Sequence, residues 1–431
     1  MRHLLRALGL LALALALPAS AGPLAHREVL PNGSVLLVAE RAAIPIVVVR
    51  LSVRAGSVYD PADAGGLANL TADLLTRGTA RRTGPELDRA IEFVGGGLEG
   101  EAGRDSGSLS LSVLKKDLGL GLDLLAEALL TPTFPEDELA RRRVDIAAAI
   151  DRSEQDPGSV AARVMAELLY PGHPYSRPVT GTVASVKGLT REQVIRFHRD
   201  HYRPDTAVIA VVGDVTADEI RRELWARLGS WSTPGTPLPV IPPTPALPPV
   251  EARVIHRDLT QATIYLARPG IKPDHPDYFP LVVANYVLGG GSASRLYTKV
   301  REERGLAYSV WSALGPGRYG ASYMVGLQTR IDAADEAVRL TRAEMDRMGQ
   351  ETVPARELDL AKSYLIGSYP LRTDTSGKMA GFLVLVEEGQ LGLDWPDRFK
   401  AGIARVSAAD VRRVAGIYMN PATFSSVMVG K

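Results

Sequence analysis

Two helix–strand units recur in this chain, and their recurrence limits the folds it can adopt. The first begins at Thr190 with a helical segment and ends with the strand-like TAVIAVVGD, which reaches Gly213. The second begins at Ser407 and ends with TFSSVMVG, which reaches Gly430. Both units run 23 residues from the capping hydroxyl to the glycine. The spacing predicts a tandem duplication rather than a single continuous core.

A second pair of matched segments agrees with the first. Pro135-x-x-Glu138-Leu139 and Pro354-x-x-Glu357-Leu358 lie 219 residues apart, against 217 for the helix–strand units. Between the halves, PGTPLPVIPPTPALPP places eight prolines in sixteen residues, which favours a stiff, extended linker. We therefore predict an N-terminal domain at 22–230, a linker at 231–250 and a C-terminal domain at 251–431.

Each half is predicted to combine helices with a largely antiparallel sheet. SLSLSV at 108–113 and IVVVRLSV at 46–53 show the alternation of half-buried strands, and long amphipathic helices lie between such segments. The expected fold class is α+β, with two homologous domains that each pack helices on an antiparallel-rich sheet.

The first 21 residues have the features of a secretory signal peptide. They combine a basic start, an apolar run from Ala7 to Leu17 and a small-residue site that ends at Ala21. The run is too short to cross a bilayer, which takes about 20 residues. We therefore expect an exported chain, either periplasmic or secreted, without a membrane span.

Charge and cysteine content exclude several function classes. Without residues 1–21, the chain has 48 basic and 49 acidic residues, which argues against general attraction to nucleic acid or anionic membranes. The basic run at 141–143 is interpreted as a solvated helix face. The chain has no cysteine, so it can carry neither a disulfide nor a cysteine-anchored lipid.

The segment GGLANLTADLLTRGT, residues 65–79, has the frame of a metal-binding helix without its ligands. Leucines at 67, 70, 74 and 75 form one stripe, and positions 69 and 73 share another face. In the inverted zincin motif H-x-x-E-H, two histidines at such positions bind zinc and the intervening glutamate acts as general base. This chain carries Asn69, Ala72 and Asp73 there.

The surrounding residues resemble the pitrilysin/insulinase family of zinc metallopeptidases, whose members of this length consist of two homologous domains. The resemblance extends over nearly the whole chain beyond the predicted signal peptide. The matching residues around the helix are Gly56-Ser57, Asp60, Gly66-Leu67-Ala68 and Gly78-Thr79; further family-like stretches are HPYSRPVTGT from His173, the 202–214 segment, and GGGSASRLYTKVREERGLAYSV from Gly289.

This resemblance implies that the zinc site has been lost. The family's third ligand is a glutamate about 76 residues beyond the second histidine, which corresponds to Ala149 here. A zinc site needs at least three protein ligands, so no cofactor is expected in this chain. Of the seven histidines, only His198 and His201 could share a helix face, and we interpret their helix as solvated because no third ligand has a recognisable spacing.

The second half retains a pair of polar residues that the family uses. A helix is predicted through SRLYTKVREER, Gly305 ends it, and LAYSVWSAL returns as a strand, which lets Arg301 and Tyr308 converge. The resemblance implies that Arg301 holds the substrate backbone and that Tyr308 stabilises the developing oxyanion, facing zinc across a chamber.

Some family members divide these features between two chains, and this chain is similar to the zinc-free kind. The leading hypothesis is a non-catalytic subunit of an exported heterodimeric peptidase, which would supply Arg301 and Tyr308 in trans to a homologous zinc-bearing partner acting on peptides. The alternative is a pseudo-peptidase that serves as an interaction or scaffold protein. A weaker third hypothesis is an active peptidase with an unconventional metal site.

Overall fold

The computed structural model describes residues 24–430, so the predicted signal peptide lies outside the described residues. Eleven strands lie within the described range. They form a six-stranded sheet with the order β1-β2-β6-β3-β5-β4 and a five-stranded sheet with the order β7-β11-β8-β10-β9. The strands are β1 (His26–Val29), β2 (Val35–Glu40), β3 (Ile46–Val53), β4 (Gly97–Ala102), β5 (Gly107–Leu114), β6 (Val208–Gly213), β7 (Ala252–Ile255), β8 (Gln261–Pro269), β9 (Ala307–Gly315), β10 (Ser322–Arg330) and β11 (Ser425–Val429).

The second sheet repeats the strand order of the first once the edge strand β1 is set aside. In each sheet one neighbouring pair is parallel, β2 with β6 and β7 with β11, and the remaining pairs are antiparallel. The prediction of an α+β fold with two homologous, antiparallel-rich domains is therefore confirmed.

Fourteen α-helices accompany these sheets in residues 24–430. They are α1 (Leu67–Leu74), α2 (Gly84–Phe93), α3 (Leu118–Leu130), α4 (Glu136–Ser153), α5 (Pro157–Leu169), α6 (Val183–Gly188), α7 (Arg191–His201), α8 (Ala217–Leu228), α9 (Tyr278–Gly289), α10 (Ala334–Gln350), α11 (Ala355–Gly367), α12 (Ser376–Glu388), α13 (Trp395–Arg405) and α14 (Ala408–Tyr418). The hydroxyls of Thr190 and Ser407 cap α7 and α14 by accepting N–H bonds from Gln193 and Asp410, as their sequence positions predict.

The alternation along β3 shows why the first sheet has two different faces. Val47, Val49, Leu51 and Val53 are completely buried in the core under the helices. The intervening positions include Arg50 and face the other way, because successive side chains of a strand point to opposite sides. The first sheet thus presents a partly polar face away from its helices.

Each half contributes one helix to the open face of the other half's sheet. Helix α12 packs against β6 and β3, whereas α5 packs against β8 and β11. The two helices lie 219 positions apart, so they occupy equivalent places in the repeat. At the end of α12, Ser52 donates a hydrogen bond of 2.5 Å to Glu388. This exchange packs the two halves against each other and places a further apolar layer between them.

The proline-rich segment contains no helix or strand from 231 to 251, and it contacts both halves. The N–H of Thr244 donates to the carbonyl of Tyr319 at 3.1 Å, and a ring nitrogen of His173 lies 2.9 Å from the carbonyl of Pro242. No helix in residues 24–430 has the length and apolarity needed to cross a membrane.

Candidate functional site: an altered zinc helix and an arginine–tyrosine pair

Helix α1 is fixed at its start by Asp60. The carboxylate of Asp60 accepts the N–H groups of Gly66 and Ala68 at 2.9 and 2.8 Å. Burial raises the pKa of Asp60 to about 7, while these backbone hydrogen bonds act in the opposite direction. Gly66 has φ of 91°, a conformation in which a side chain would be strained. Asp60 and Gly66 therefore place α1 through backbone contacts.

The apolar stripe of α1 is buried as its spacing predicts. Leu67, Leu70 and Leu74 are at most 3% exposed, and this packing leaves Asn69 and Asp73 partly exposed. Both residues line an open cleft of about 500 Å³. Ala72, at the position of the family's general base, is completely buried. The helix thus presents an amide and a carboxylate to the cleft, at the two positions where the resemblance implies zinc ligands.

An arginine from α4 occupies the altered site. Arg142 makes a two-point ion pair with Asp73, in which Nη2 lies 2.9 Å from Oδ1 and Nε contacts Oδ2. This pairing raises the pKa of Arg142. Arg142 also donates to Asp145 at 3.2 Å and lines the cleft beside Ile146. The positively charged Arg142 therefore contacts Asp73, which stands where the family resemblance implies the second zinc ligand.

This contact corrects the interpretation of the basic run 141–143. Arg141 is largely solvated, with 61% of its side chain exposed, but Arg142 is 29% exposed and belongs to the cleft. Arg143 donates to the carbonyl of Leu189 at 2.8 Å. The prediction of a solvated face was wrong for Arg142 and Arg143, because three consecutive residues of a helix point in different directions.

Ala149 lies seven residues beyond Arg142 on α4, which places the two on one face of that helix. Ala149 is exposed, and it is absent from the cleft lining that contains Asn69 and Asp73. Among residues 24–430, no three His, Cys, Asp or Glu side chains are grouped so that they could hold a metal ion. Arg142, Asn69 and Asp73 are thus brought together in the lining of this cleft, and Ala149 is not part of that lining.

Arg301 and Tyr308 approach each other in the second half. The guanidinium carbon of Arg301 lies 5.8 Å from the centre of the Tyr308 ring and 4.7 Å from that of Tyr297. Nη1 of Arg301 donates to the Tyr297 hydroxyl at 2.9 Å. Tyr308 is the second residue of β9 and is 74% exposed. The sequence did not lead us to Tyr297, although it precedes Arg301 by four residues and residues four apart on a helix are neighbours.

The segment that carries Arg301 is a π-helix, Tyr297–Glu302, rather than the longer regular helix predicted from SRLYTKVREER. The N–H of Glu303 bonds to the carbonyl of Thr298 at 2.9 Å, a spacing of five residues. Gly305, with φ of 61°, then turns the chain toward β9. Such π-helical turns are often found at functional sites.

His198 and His201 are packed inside the first half. A ring nitrogen of His198 lies 2.8 Å from the carbonyl of Leu129, and burial lowers the pKa of His198 to about 4. His201 is 7% exposed and stacks on Phe197 with ring centres 4.4 Å apart. The interpretation of their helix as solvated was therefore wrong on this face, since both rings belong to the core.

The duplicated domains, the zinc helix without ligands and the arginine–tyrosine pair define a metallopeptidase-like protein with a degenerate metal site. Family models agree with this class. Residues 36–183 match the model described as Insulinase (Peptidase family M16), and residues 188–365 match the Peptidase M16 inactive domain. The chain belongs to peptidase family M16.

Relatives and solved structures are similar over most of their lengths. An uncharacterized zinc protease of Streptomyces coelicolor is 27% identical over 402 residues, covering 90% of this chain and 86% of the relative. A non-peptidase homolog of Helicobacter pylori is 26% identical over 356 residues, covering 82% of each. The crystal structure of a peptidase M16 inactive domain from Pseudomonas fluorescens superposes with a TM-score of 0.89 at 28% identity, covering 94% of this chain and 97% of the other.

The replaced residues define this chain's place within the family. The sequence contains no H-x-x-E-H motif, and Asn69, Ala72 and Asp73 stand where the resemblance places it. The chain is a pseudo-peptidase member of family M16.

Proposed function

We propose that this chain is the non-catalytic subunit of an exported, periplasmic or secreted heterodimeric zinc peptidase that degrades peptides. The observation that carries the proposal is the contrast between its two halves. Arg301 and Tyr308 remain together, with Tyr308 exposed, while Asp73 in the first half is paired with Arg142. A homologous partner with an intact H-x-x-E-H motif supplies the zinc.

Arg301 is suited to hold a peptide backbone. One of its N–H groups is used by Tyr297, and no carboxylate among residues 24–430 forms an ion pair with Arg301. A guanidinium has five donors in a rigid fork, so the remaining donors can grip a substrate carbonyl. The Tyr297 ring under the guanidinium limits the directions in which Arg301 can point.

Tyr308 is suited to stabilise charge that develops on the substrate. Its side chain projects from the first position after the buried Ala307 on β9, and its ring is held beside Arg301. A hydroxyl donor held in advance stabilises an oxygen that becomes negative during peptide hydrolysis. The partner's zinc supplies the activated water for this reaction. The two residues of this chain then bind and orient the scissile peptide.

The Arg142–Asp73 ion pair favours the second candidate, an interaction or scaffold protein without a role in proteolysis. A chain that had lost all contact with substrate would be free to fill its altered cleft with such a pair. The two functions differ in whether Arg301 and Tyr308 affect hydrolysis.

Co-purification from the native host is the first test. We expect a chain of similar size that carries H-x-x-E-H and lacks the arginine–tyrosine pair. The purified partner is then assayed for peptide hydrolysis alone and mixed with this chain. Strong activation by the wild-type chain supports the proposal. Full activity of the partner alone, unchanged on mixing, favours the scaffold function.

A further inference from the structure

A second cleft, of about 550 Å³, lies between the proline-rich segment and the second half. It is lined by linker residues 244–247, by the end of β8 and the turn after it, and by residues 320 and 321. Much of its wall is apolar and includes Pro245, Leu247 and Ile271. Its volume falls in the range of pockets that hold small organic ligands. None of the residues of the arginine–tyrosine site lines it.

Arg268 is the unusual member of this lining because it is charged and only 8% exposed. Its Nη1 donates to the carbonyl of Ile417 at 2.6 Å and to the hydroxyl of Thr423 at 3.1 Å, and its Nε donates to the carbonyl of Pro269 at 3.2 Å. The guanidinium carbon lies 5.6 Å from the ring of Tyr418. All of these partners are neutral, and Nη2 has no acceptor among residues 24–430.

No carboxylate of the described residues forms an ion pair with Arg268, and burial lowers its pKa. A buried charge without a counter-charge is costly, because the surrounding protein replaces only part of its hydration. The carbonyl of Ile417, near the end of α14, offsets part of this cost through the helix dipole. The remaining donor capacity at Nη2 is available to an anion in the cleft.

The repeat shows that the fold itself does not require a cation at this place. Each repeated unit ends in a glycine that faces a residue of the neighbouring strand, which is β3 in the first half and β8 in the second. When β3 and β8 are aligned on those two facing residues, Val53 takes the position of Arg268. Val53 is completely buried in an apolar core. The equivalent position in the equivalent sheet of the first half is thus filled by an uncharged side chain, so Arg268 is a special feature of the second half.

Other charged groups make the cleft cationic. Lys272 and His275 lie in the lining, and the acidic lining residue is Asp274, whose carboxylate is 3.9 Å from the ammonium of Lys272. Lys272 is 47% exposed, so it can approach a ligand at the mouth while Arg268 holds the interior. Two permanent cations therefore face one carboxylate in a largely apolar cavity.

We propose that this cleft binds a carboxylate attached to an apolar group, with Arg268 and Lys272 contacting the carboxylate and the proline-rich wall accepting the apolar part. Two sources carry this chemistry: the C-terminus of a peptide that ends in an apolar residue, and a free organic acid. Because linker residues form one wall, a bound ligand bridges the linker and the second half. This site is independent of the proposed peptidase function.

Calorimetric titration of the full chain tests the proposal with matched probes. Acetyl-Ala-Ala-Leu with a free carboxylate is compared with the same peptide amidated at its C-terminus, and acetyl-leucine is compared with its amide. We expect the acids to bind at least tenfold more tightly than the amides, because a hydrogen bond to a charged group is lost in the amides. Tighter binding of the peptide identifies a peptide C-terminus as the source, and equal binding identifies the free acid.

Variants locate the binding site. Arg268→Val, which copies Val53, should weaken acid binding about ten- to hundredfold, and Lys272→Ala should weaken it severalfold. Arg342→Leu is the matched control, because Arg342 donates to the carbonyl of Pro421 at 2.8 Å in the same region without lining the cleft. We expect Arg342→Leu to bind like the wild type. If Arg268→Val fails to fold, the effect of Lys272→Ala on acid affinity decides whether the cleft is the binding site, because Lys272 is exposed.

Proteolysis of the linker gives a second measurement. Ala246 and Leu247 both line the cleft and are exposed, so elastase, which cuts after alanine, has access to the bond between them. Acetyl-leucine should slow cleavage after Ala246, and its amide should not. Three results would each overturn the proposal. The acids and amides could bind with equal affinity, no acid could bind at millimolar concentration, or both Arg268→Val and Lys272→Ala could keep wild-type affinity.

Discussion

The guanidinium of Arg301 lies over the exposed ring of Tyr308, with 5.8 Å between the guanidinium carbon and the ring centre. The π-helix and the left-handed Gly305 bring the two residues together across a turn. Tyr297 holds the other side of the guanidinium. The three side chains therefore form an ordered polar surface whose contribution to hydrolysis can be measured residue by residue.

Tyr308→Phe removes a single hydroxyl from this surface. In the mixed complex with the zinc-bearing partner, we expect kcat to fall about 10² to 10³-fold, which corresponds to roughly 2.7 to 4 kcal/mol for one oxyanion donor. Because Tyr308 is 74% exposed, the stability of the chain should change by no more than about 0.5 kcal/mol. Steady-state hydrolysis and thermal unfolding measure the two quantities.

Tyr364→Phe is the control for Tyr308→Phe, since Tyr364 is another exposed tyrosine of the second half. Its complex should have wild-type kinetics. Complex formation must be equal for all variants by size-exclusion chromatography. Wild-type kcat with Tyr308→Phe would show that this tyrosine is structural, and the scaffold function would then be preferred.

Arg301→Ala is expected to act mainly on substrate affinity. A group that grips the peptide backbone before and during the reaction contributes binding common to both states, so its loss should raise KM as well as lower kcat/KM. Tyr297→Phe keeps the ring under the guanidinium but removes the hydrogen bond of 2.9 Å, so its effect should be smaller and in the same direction. An unchanged KM with Arg301→Ala would exclude the gripping role.

Introducing the family's residues at the four positions that the resemblance assigns tests whether the scaffold of a zinc site is present. Asn69→His, Ala72→Glu, Asp73→His and Ala149→Glu remove the partner of Arg142 and leave its cation at the site. A guanidinium beside a dication is repulsive, so the fourfold variant should bind zinc weakly. Adding Arg142→Ala should lower the Kd for zinc at least tenfold, as measured by competition with a chromogenic chelator.

The control for this experiment is Arg141→Ala in the same fourfold background. Arg141 lies on α4 next to Arg142 but pairs with Glu138 and is largely solvated. This change should leave zinc affinity where the fourfold variant has it. If the variant with Arg142→Ala is folded and binds no more zinc than the wild type, the assignment of the four ligand and base positions is wrong.

The duplication allowed the fold class to be predicted, because a repeated helix–strand unit requires two equivalent sheets. The exchange of α5 and α12 between the halves could not be predicted in the same way. An amphipathic pattern indicates that a helix buries one face, but it does not specify which sheet covers that face. Contacts between residues more than two hundred positions apart, such as Ser52 with Glu388, leave no local signal in one sequence.

The altered cleft was predictable in its residues but not in its contacts. The stripe of leucines correctly indicated which face of α1 is buried, and therefore that Asn69 and Asp73 are accessible. The basic run 141–143 gave no means of distinguishing Arg142 from its neighbours, since every residue of the run has the same charge. The π-helix was missed because its one additional residue per turn does not alter the composition of a six-residue segment.

Acid sensitivity should originate partly at His198, whose ring lies 5.5 Å from that of Phe134 and 5.1 Å from that of Tyr202. Its folded pKa of about 4 lies below the unfolded value of 6.5, so the unfolded chain binds the proton more readily between these values. The free energy of unfolding should therefore fall as pH drops from about 6.5 to 4, by roughly 3 kcal/mol from this residue. His198→Gln, which retains an N–H donor for Leu129, should remove that part of the slope in urea denaturation at pH 7.5, 6 and 5. His26→Gln, at an exposed position, should keep it. Parallel pH profiles for the wild type and His198→Gln would show that protonation of His198 does not limit stability.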